Sequence, residues 1–264
     1  MQERALLGRC AVVTGSSAGL GAAIAERLAA EGCDVVLNGI ASASEMAPVL
    51  RALEAAYGVR TLFHGADLGD TAQVAAMMSA AEEAFGSVEV LINNAVVRQF
   101  APVEQMAVEG WDRSLAVNLS AAFHTIRLVL PGMRERGFGR MVNVSSIYGL
   151  VGAANRADYV TAKTGLIGLT RAVALETAEA DITCNAICPG TVATEPIEQK
   201  IRDLAAAEGV SVEAATAAYL AERQPSRRFV AKEGVAGMVA FLCGPGGRDV
   251  TGAAIPIDGG WSAA

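Results

Sequence analysis

Tyr159 and Lys163 stand four residues apart in the stretch SSIYGLVGAANRADYVTAK, residues 145–163. At that spacing two side chains share one face of a helix. A free tyrosine phenol titrates near ~10 and is a poor base at neutral pH. An ammonium one turn away favours the phenolate and brings the phenol toward use as a proton acceptor for an alcohol, or in reverse as a proton donor to a carbonyl. Lowering it to neutrality takes about 4 kcal/mol of differential interaction. Ser146 follows the strand-like run RMVNV, where its hydroxyl can reach the same substrate oxygen. Taken alone, a Tyr and a Lys one turn apart also describe a packed ring beside a solvated amine. The frame that positions them decides between these readings.

Short β-branched runs alternate along the chain with alanine-rich amphipathic stretches. The strand candidates are residues 10–14, 34–38, 61–65, 88–93, 140–144, 182–187 and 254–258. They are short, apolar and bounded by Gly, Asn or Asp, as buried parallel strands are. Between them lie helical segments such as LGAAIAERLAAEG, with Leu20, Ile24 and Leu28 on one face. Strict β-α alternation predicts an α/β fold: one doubly wound Rossmann-type domain spanning 1–264, with a seven-stranded parallel sheet and helices on both faces. No linker, repeat or low-complexity segment interrupts it. Residues 191–230 break the alternation with helical pattern and no strand, where an active-site lid is expected. Its apolar positions Ile197, Ile201, Leu204, Tyr219 and Leu220 are expected to pack on the body of the domain. Gln199 and Lys200 are its substrate-facing candidates. Gly209 marks a break between two helices, with Ser211 as an N-cap.

The second chemical motif, TGSSAGLG, runs from Thr14 to Gly21 and joins the first strand to the first helix. Gly15, Gly19 and Gly21 permit a tight turn and close approach of the backbone to a phosphate. With Ser17 and Leu20 they lead into N–H groups that face an anion. That context points to a dinucleotide, whose positive nicotinamide ring would further favour a Tyr159 phenolate. The adenosine is expected at the end of the second strand, Asn38–Gly39–Ile40. No Arg or Lys follows there in NGIASASEMAP to take a 2′-phosphate, so NAD is expected rather than NADP, although the acid that often binds the ribose diol is also absent. Asp67, with Leu68 beside it, follows the third strand; it either bonds the adenine amino group or N-caps the next helix.

Composition bounds the partners. A net charge of −7 argues against nucleic acid. Hydrophobic residues at 52% against 19% charged imply a large buried core rather than disorder. No apolar run in the sequence approaches a membrane span. The start, MQERALLGRC, lacks the charged and apolar regions of a signal peptide, so a cytoplasmic protein is expected. Cys10, Cys33, Cys184, Cys188 and Cys243 are odd in number and scattered through apolar runs, which reads as buried thiols rather than a disulfide framework. Cys184 and Cys188 have only His64 and His124 to complete a metal site, neither at ligand spacing, so no metal is expected.

Taken together, TGSSAGLG, NNA at 93–95, Asn118 in AVNLS, Ser146, YVTAK and Pro189–Gly190 resemble the short-chain dehydrogenases/reductases over essentially the whole chain. The resemblance implies a catalytic tetrad of Asn118, Ser146, Tyr159 and Lys163. Asn118 would hold a water that links Lys163 to solvent, and Lys163 would also bind the nicotinamide ribose. Asn94 and Ala95 would line the adenosine ribose. Pro189, Gly190 and Val192 would lie along the cofactor, and Ile187 and Thr194 would contact the carboxamide. Where the family usually has glycine after NNA, this chain has Val96, which implies a slightly different cofactor pose.

Within the family the chain is most similar to bacterial D-3-hydroxybutyrate dehydrogenases, through VVLNG, ALETA at 174–178, NAICPG at 185–190, QPS at 224–226 and the terminal IDGGW. That resemblance implies NAD, a small hydroxy acid as substrate and a homotetramer. In that group two glutamines, a histidine and a lysine grip the carboxylate; here Arg98, Tyr148, Arg156 and Lys200 stand at those places. A tryptophan after the PG pair is replaced by Thr191, while Trp261 is kept. Three cations and added volume suggest an anionic substrate larger or more highly charged than hydroxybutyrate. The alternative is that Arg98 and Lys200 face solvent or pair with Glu104, Glu195 or Glu198. A 3-oxoacyl reductase and a catalytically silent dinucleotide sensor are the competing functions; the intact tetrad speaks against the latter.

Overall fold

In the computed structural model, which describes residues 4–264, seven strands form one parallel sheet: β1 (Cys10–Val13), β2 (Asp34–Asn38), β3 (Thr61–His64), β4 (Val90–Asn93), β5 (Phe138–Val144), β6 (Asp181–Pro189) and β7 (Ala254–Ile257). Met1, Gln2 and Glu3 of the N-terminal segment lie outside the described residues. The strand order is β3-β2-β1-β4-β5-β6-β7. The helices are α1 (Gly19–Ala30), α2 (Ala43–Tyr57), α3 (Thr71–Phe85), α4 (Val108–Leu115), α5 (Ala121–Arg136), α6 (Ala157–Glu176), α7 (Glu195–Glu208), α8 (Val212–Ala221) and α9 (Lys232–Cys243).

Successive strand residues point to opposite faces, and the two halves of the core follow from that alternation. Ala11 and Val13 of β1 face α1, α2 and α9, packing with Ile24, Leu28, Met46 and Val239. Cys10 and Val12 face α3, α5 and α6, with Met77, Ile126, Met133 and Val173. A strand covered on both sides has no polar face, which is why these runs read as continuously apolar. All five cysteines are buried free thiols.

The predicted strands all form, with shifted ends. β6 extends to both sides of 182–187 because it pairs with β5 from Asp181 and with β7 up to Pro189. β5 begins at Phe138 for the same reason. Val88 and Glu89 lie before β4; the Glu89 carboxylate accepts the Cys10 N–H at 2.9 Å instead. Thr14, Gly65 and Asp258 fall past their strands. The Asp258 carboxylate turns back to accept the N–H groups of Gly260 and Ser262.

The lid is two helices, α7 and α8, joined at Gly209 in the left-handed region (φ 66°), and the Ser211 hydroxyl caps α8 by accepting the Ala214 N–H. Its apolar side chains do not pack chiefly on the body as expected. Ile201, Ala205 and Ala215 form a separate small core with Ile197, Tyr219 and Phe229, so the lid holds together by itself.

A further correction concerns residues 108–136, where α4, a π turn (Ala116–Ser120) and α5 run on as one helix. Against the expectation from the sequence, it is long and apolar enough to cross a membrane by length and composition. Asn118, His124 and Arg127 break its apolar run in a linear reading. Here Ile126, Val129 and Met133 are spent on the core against the sheet.

Candidate active site

The order of strands reverses between β1 and β4, and ligands bind in the crevice such a reversal opens at the carboxyl ends. The loops leaving β1, β4, β5 and β6 meet there around a cavity of about 500 Å³. Its wall includes Gly15, Gly19, Leu20, Gly21, Asn94, Ser146, Tyr159, Lys163, Gly190 and Thr194.

The glycine loop is built to be approached. A Cβ on Gly21 would lie 2.2 Å from the Gly15 carbonyl oxygen, and one on Gly15 would lie 2.7 Å from Ala95 Cα. Gly19 has φ 62° and open space beside it. Asn94 fastens this loop to the end of β4, its amide donating to the carbonyls of Thr14 and Gly15 at 2.9 Å each. Thr14 Oγ1 accepts the N–H groups of Asn94 and Ala95 in return. Across the cavity the Thr194 hydroxyl is buried with no hydrogen-bond partner among the described residues. Glycine backbone with open space at Gly19 on one side of the cavity and an orphaned hydroxyl on the other fit a dinucleotide.

Lys163 is only 2% exposed. Its ammonium donates to the Val144 carbonyl at 2.7 Å and lies 5.7 Å from the centre of the Tyr159 ring. One turn of α6 therefore carries both, as the spacing required. Burial by itself pushes the Tyr159 phenol up; the Lys163 ammonium and then the Arg98 guanidinium oppose it, and the phenol ends below its ordinary value. Burial holds Lys163 below its usual range, with the phenol pulling it back up. Ser146, in extended backbone at the end of β5, caps a 3-10 turn (Ile147–Gly149) by accepting the Tyr148 N–H at 3.2 Å. That turn faces Tyr148 edge-on to both Tyr159 and Trp261, at 6.4 and 5.5 Å.

Asn118 sits in the π turn, a widened turn of the kind that recurs at functional sites. Its side chain takes the Val97 N–H and donates to the Val97 carbonyl, both at 2.9 Å. Its other donated bond goes to Ser114. Asn118 thus clamps the peptide immediately before Arg98.

Not every expected residue reaches the cavity. Ser17, Asp67, Leu68 and Ala95 do not line it, nor does Ile187, which is buried in β6, nor Asn118, the one member of the expected tetrad that stands behind the wall. Asp67 is not a helix cap either: Asp70 caps α3. The Asp67 carboxylate, 43% exposed, pairs with Arg113 at 2.7 Å, and the Arg113 hydrogen bond followed by the Gly69 N–H holds it below the usual carboxylate range. Gln199 is also off the wall, bonded to Asp203 and Arg202. Pro189, Val192 and Val96 do line it.

Arg98, Tyr148, Arg156, Lys200 and Trp261 all line the same cavity. Of the alternative, the pairing of Arg98 and Lys200 with nearby acids does not hold: among the described residues Glu195 pairs with Arg202, and neither cation has a carboxylate within ion-pair distance; both are nonetheless exposed and face solvent as well as the cavity. Phe100 and Arg223 belong to the same wall and were missed. Phe100 was legible as an aromatic two residues after Arg98; Arg223 carries no local signal. Gln224 was missed as a positioning residue. Fully buried, it accepts the Thr191 N–H and donates to the Arg228 carbonyl, tying the base of the lid to the end of β6.

A family model described as short chain dehydrogenase matches residues 9–205. D-beta-hydroxybutyrate dehydrogenase of Cupriavidus necator is 42% identical, over 98% of this chain and 99% of its own. The protein of that name in Rhizobium meliloti is 40% identical, over 97% and 99%. Among solved structures, L-sorbose reductase of Gluconobacter frateurii, complexed with NADPH and L-sorbose, matches with a TM-score of 0.94 at 28% identity, covering all of both chains. Motifs, sheet order and relatives converge, and the chain belongs to the short-chain dehydrogenase family.

Proposed function

We propose that this oxidoreductase interconverts a small β-hydroxy acid and its keto acid with NAD. The observation that carries the reading is the meeting, in one cavity, of the Tyr159–Lys163 pair with Arg98 and Arg156. A proton acceptor for an alcohol stands there beside fork-shaped donors for a carboxylate. The two relatives named for D-beta-hydroxybutyrate support the same substrate class.

The residues divide the work. Gly15 to Gly21 would hold the pyrophosphate on backbone N–H groups, and Thr194 and Lys163 would hold the nicotinamide half. The bound nicotinamide supplies the hydride acceptor. Ser146 and Tyr159 take the substrate hydroxyl between them. Tyr159 accepts its proton during oxidation, with Lys163 holding the phenolate. Closure of α7 and α8 excludes water from the reacting atoms.

NAD is preferred to NADP because the segment after β2 offers no cation for a 2′-phosphate, and Ile40 there is 95% exposed. We further place the protein in the cytoplasm as a homotetramer, which would cover exposed apolar side chains such as Val108, Phe123 and Leu175. Sedimentation at four chain masses tests the assembly. NADH formation from (R)-3-hydroxybutyrate tests the function, with NADP and the (S)-enantiomer in parallel. Turnover with NAD and the (R)-acid is expected; faster turnover with NADP, or of uncharged alcohols over the acid, refutes the reading.

A further inference from the structure

Five cationic side chains line the cavity, Arg98, Arg156, Lys163, Lys200 and Arg223, against one carboxylate, Glu195. Two of the cations are engaged: Lys163 by the Val144 carbonyl and Arg223 by Glu222 at 3.0 Å. Glu195 is taken by Arg202 at 2.5 Å. Arg98, Arg156 and Lys200 have no carboxylate within ion-pair distance among the described residues. In a chain with 28 acids and 21 Lys and Arg, that is not for want of acids.

Ring faces hold these cations instead. The Arg156 guanidinium lies 4.0 Å from the centre of Phe100 and 5.0 Å from that of Tyr148. The Lys200 ammonium lies 5.9 Å from Phe100 and 5.9 Å from Tyr219. The Arg98 guanidinium lies 5.9 Å from Tyr159. A π face steadies a cation while leaving its N–H donors free for an anion. The three come from three separate elements: the loop after β4, the start of α6, and α7 of the lid. One substrate carboxylate satisfies one such fork, which leaves cations uncompensated once the lid shuts out water.

We infer that the substrate of this site is a β-hydroxy dianion, a short dicarboxylate, with one anionic group held by Arg156 beside Tyr159 and the second by Lys200 across the Phe100 ring. This rests on the hydroxy-acid reading above and extends it. Arg98 keeps its field on Tyr159. The second anion gives α7 an ionic contact only when such a substrate is bound, so lid closure becomes part of selection. Oxidation breaks the C3–H bond, its hydrogen leaving with the electron pair as the hydride that a bound nicotinamide would accept. The hydroxyl proton goes to Tyr159, and the 3-oxo diacid and NADH leave.

The probe is 3-hydroxyglutarate, which is achiral and so carries no enantiomer ambiguity, compared with (R)-3-hydroxybutyrate at low ionic strength. At least a tenfold higher kcat/KM for the diacid is expected. Lys200→Gln should cut the diacid-to-monoacid ratio at least fivefold. A readout without turnover is thermal stabilisation of the protein by glutarate over butyrate, which Lys200→Gln should reduce. Equal or better turnover of the monoacid, or a ratio unchanged in Lys200→Gln, overturns the second anion site and leaves the hydroxy-acid reading standing. Turnover of neither acid overturns both.

Discussion

Arg98→Gln separates two sources of the field that makes Tyr159 a base. Lys163 is the first, and Arg98, 5.9 Å from the ring, is the second. A unit charge at that distance contributes about 0.7 kcal/mol with full water screening and about 1.4 kcal/mol at an effective dielectric constant of ~40. Arg98 is exposed, so this weakly coupled range applies rather than the value of a dry interior. Removing the charge therefore costs about three- to tenfold in hydroxy-acid oxidation wherever the phenolate limits the rate. The sign is fixed by the acid: the depressed phenol yields base as pH rises through its pKa, so losing Arg98 moves the acid limb of the kcat profile to higher pH. Lost substrate binding alone would raise KM and leave that limb in place. The assay is the kcat and kcat/KM profile for wild type, Arg98→Gln and Arg98→Lys, with tyrosinate absorbance titrated against Tyr159→Phe. The lysine variant should recover most of the shift, and salt should shrink the difference. An acid limb that does not move in Arg98→Gln, with only KM raised, refutes the claim that Arg98 acts on Tyr159.

Lys163→Met removes the larger opposing charge and lets burial dominate, so the phenol rises; oxidation should nearly vanish at neutral pH and recover partly under alkaline conditions, as pH–rate profiles will show. Gly21→Ala places a methyl group 2.2 Å from the Gly15 carbonyl oxygen, and NADH fluorescence titration should find affinity lowered at least tenfold. Asn94→Ala deletes the two bonds that tie the glycine loop to β4, an expected loss of about 1–3 kcal/mol by urea denaturation, together with weaker NADH binding. Asp181→Ala strips the carboxylate 2.7 Å from the buried Arg140 guanidinium; a similar loss of stability should appear with NADH affinity unchanged, because the pair lies at the opposite ends of β5 and β6 from the cavity.

By itself the sequence determined the alternation of elements, the glycine loop and the Tyr159–Lys163 pair. These are local: a strand covered on both faces must be apolar throughout, a phosphate turn needs its glycines, and four residues on a helix make one turn. Strand ends were less legible, since β6 takes its length from β5 and β7 rather than from its own residues. The lid's apolar pattern was visible, but whether it faced the body or itself was not; helical spacing gives a face and never its partner. Only the tertiary structure decided that Asn118 grips the Val97 peptide, that Gln224 ties down Thr191, and that Asp67 pairs with Arg113 instead of capping a helix. It also decided the charge of the pocket. Arg98, Arg156 and Lys200 lie scores of residues apart in the chain, and a cation's worth depends on which acids reach it once the chain has folded. Among the described residues none does, and all three line the cavity beside Tyr159, each over an aromatic ring.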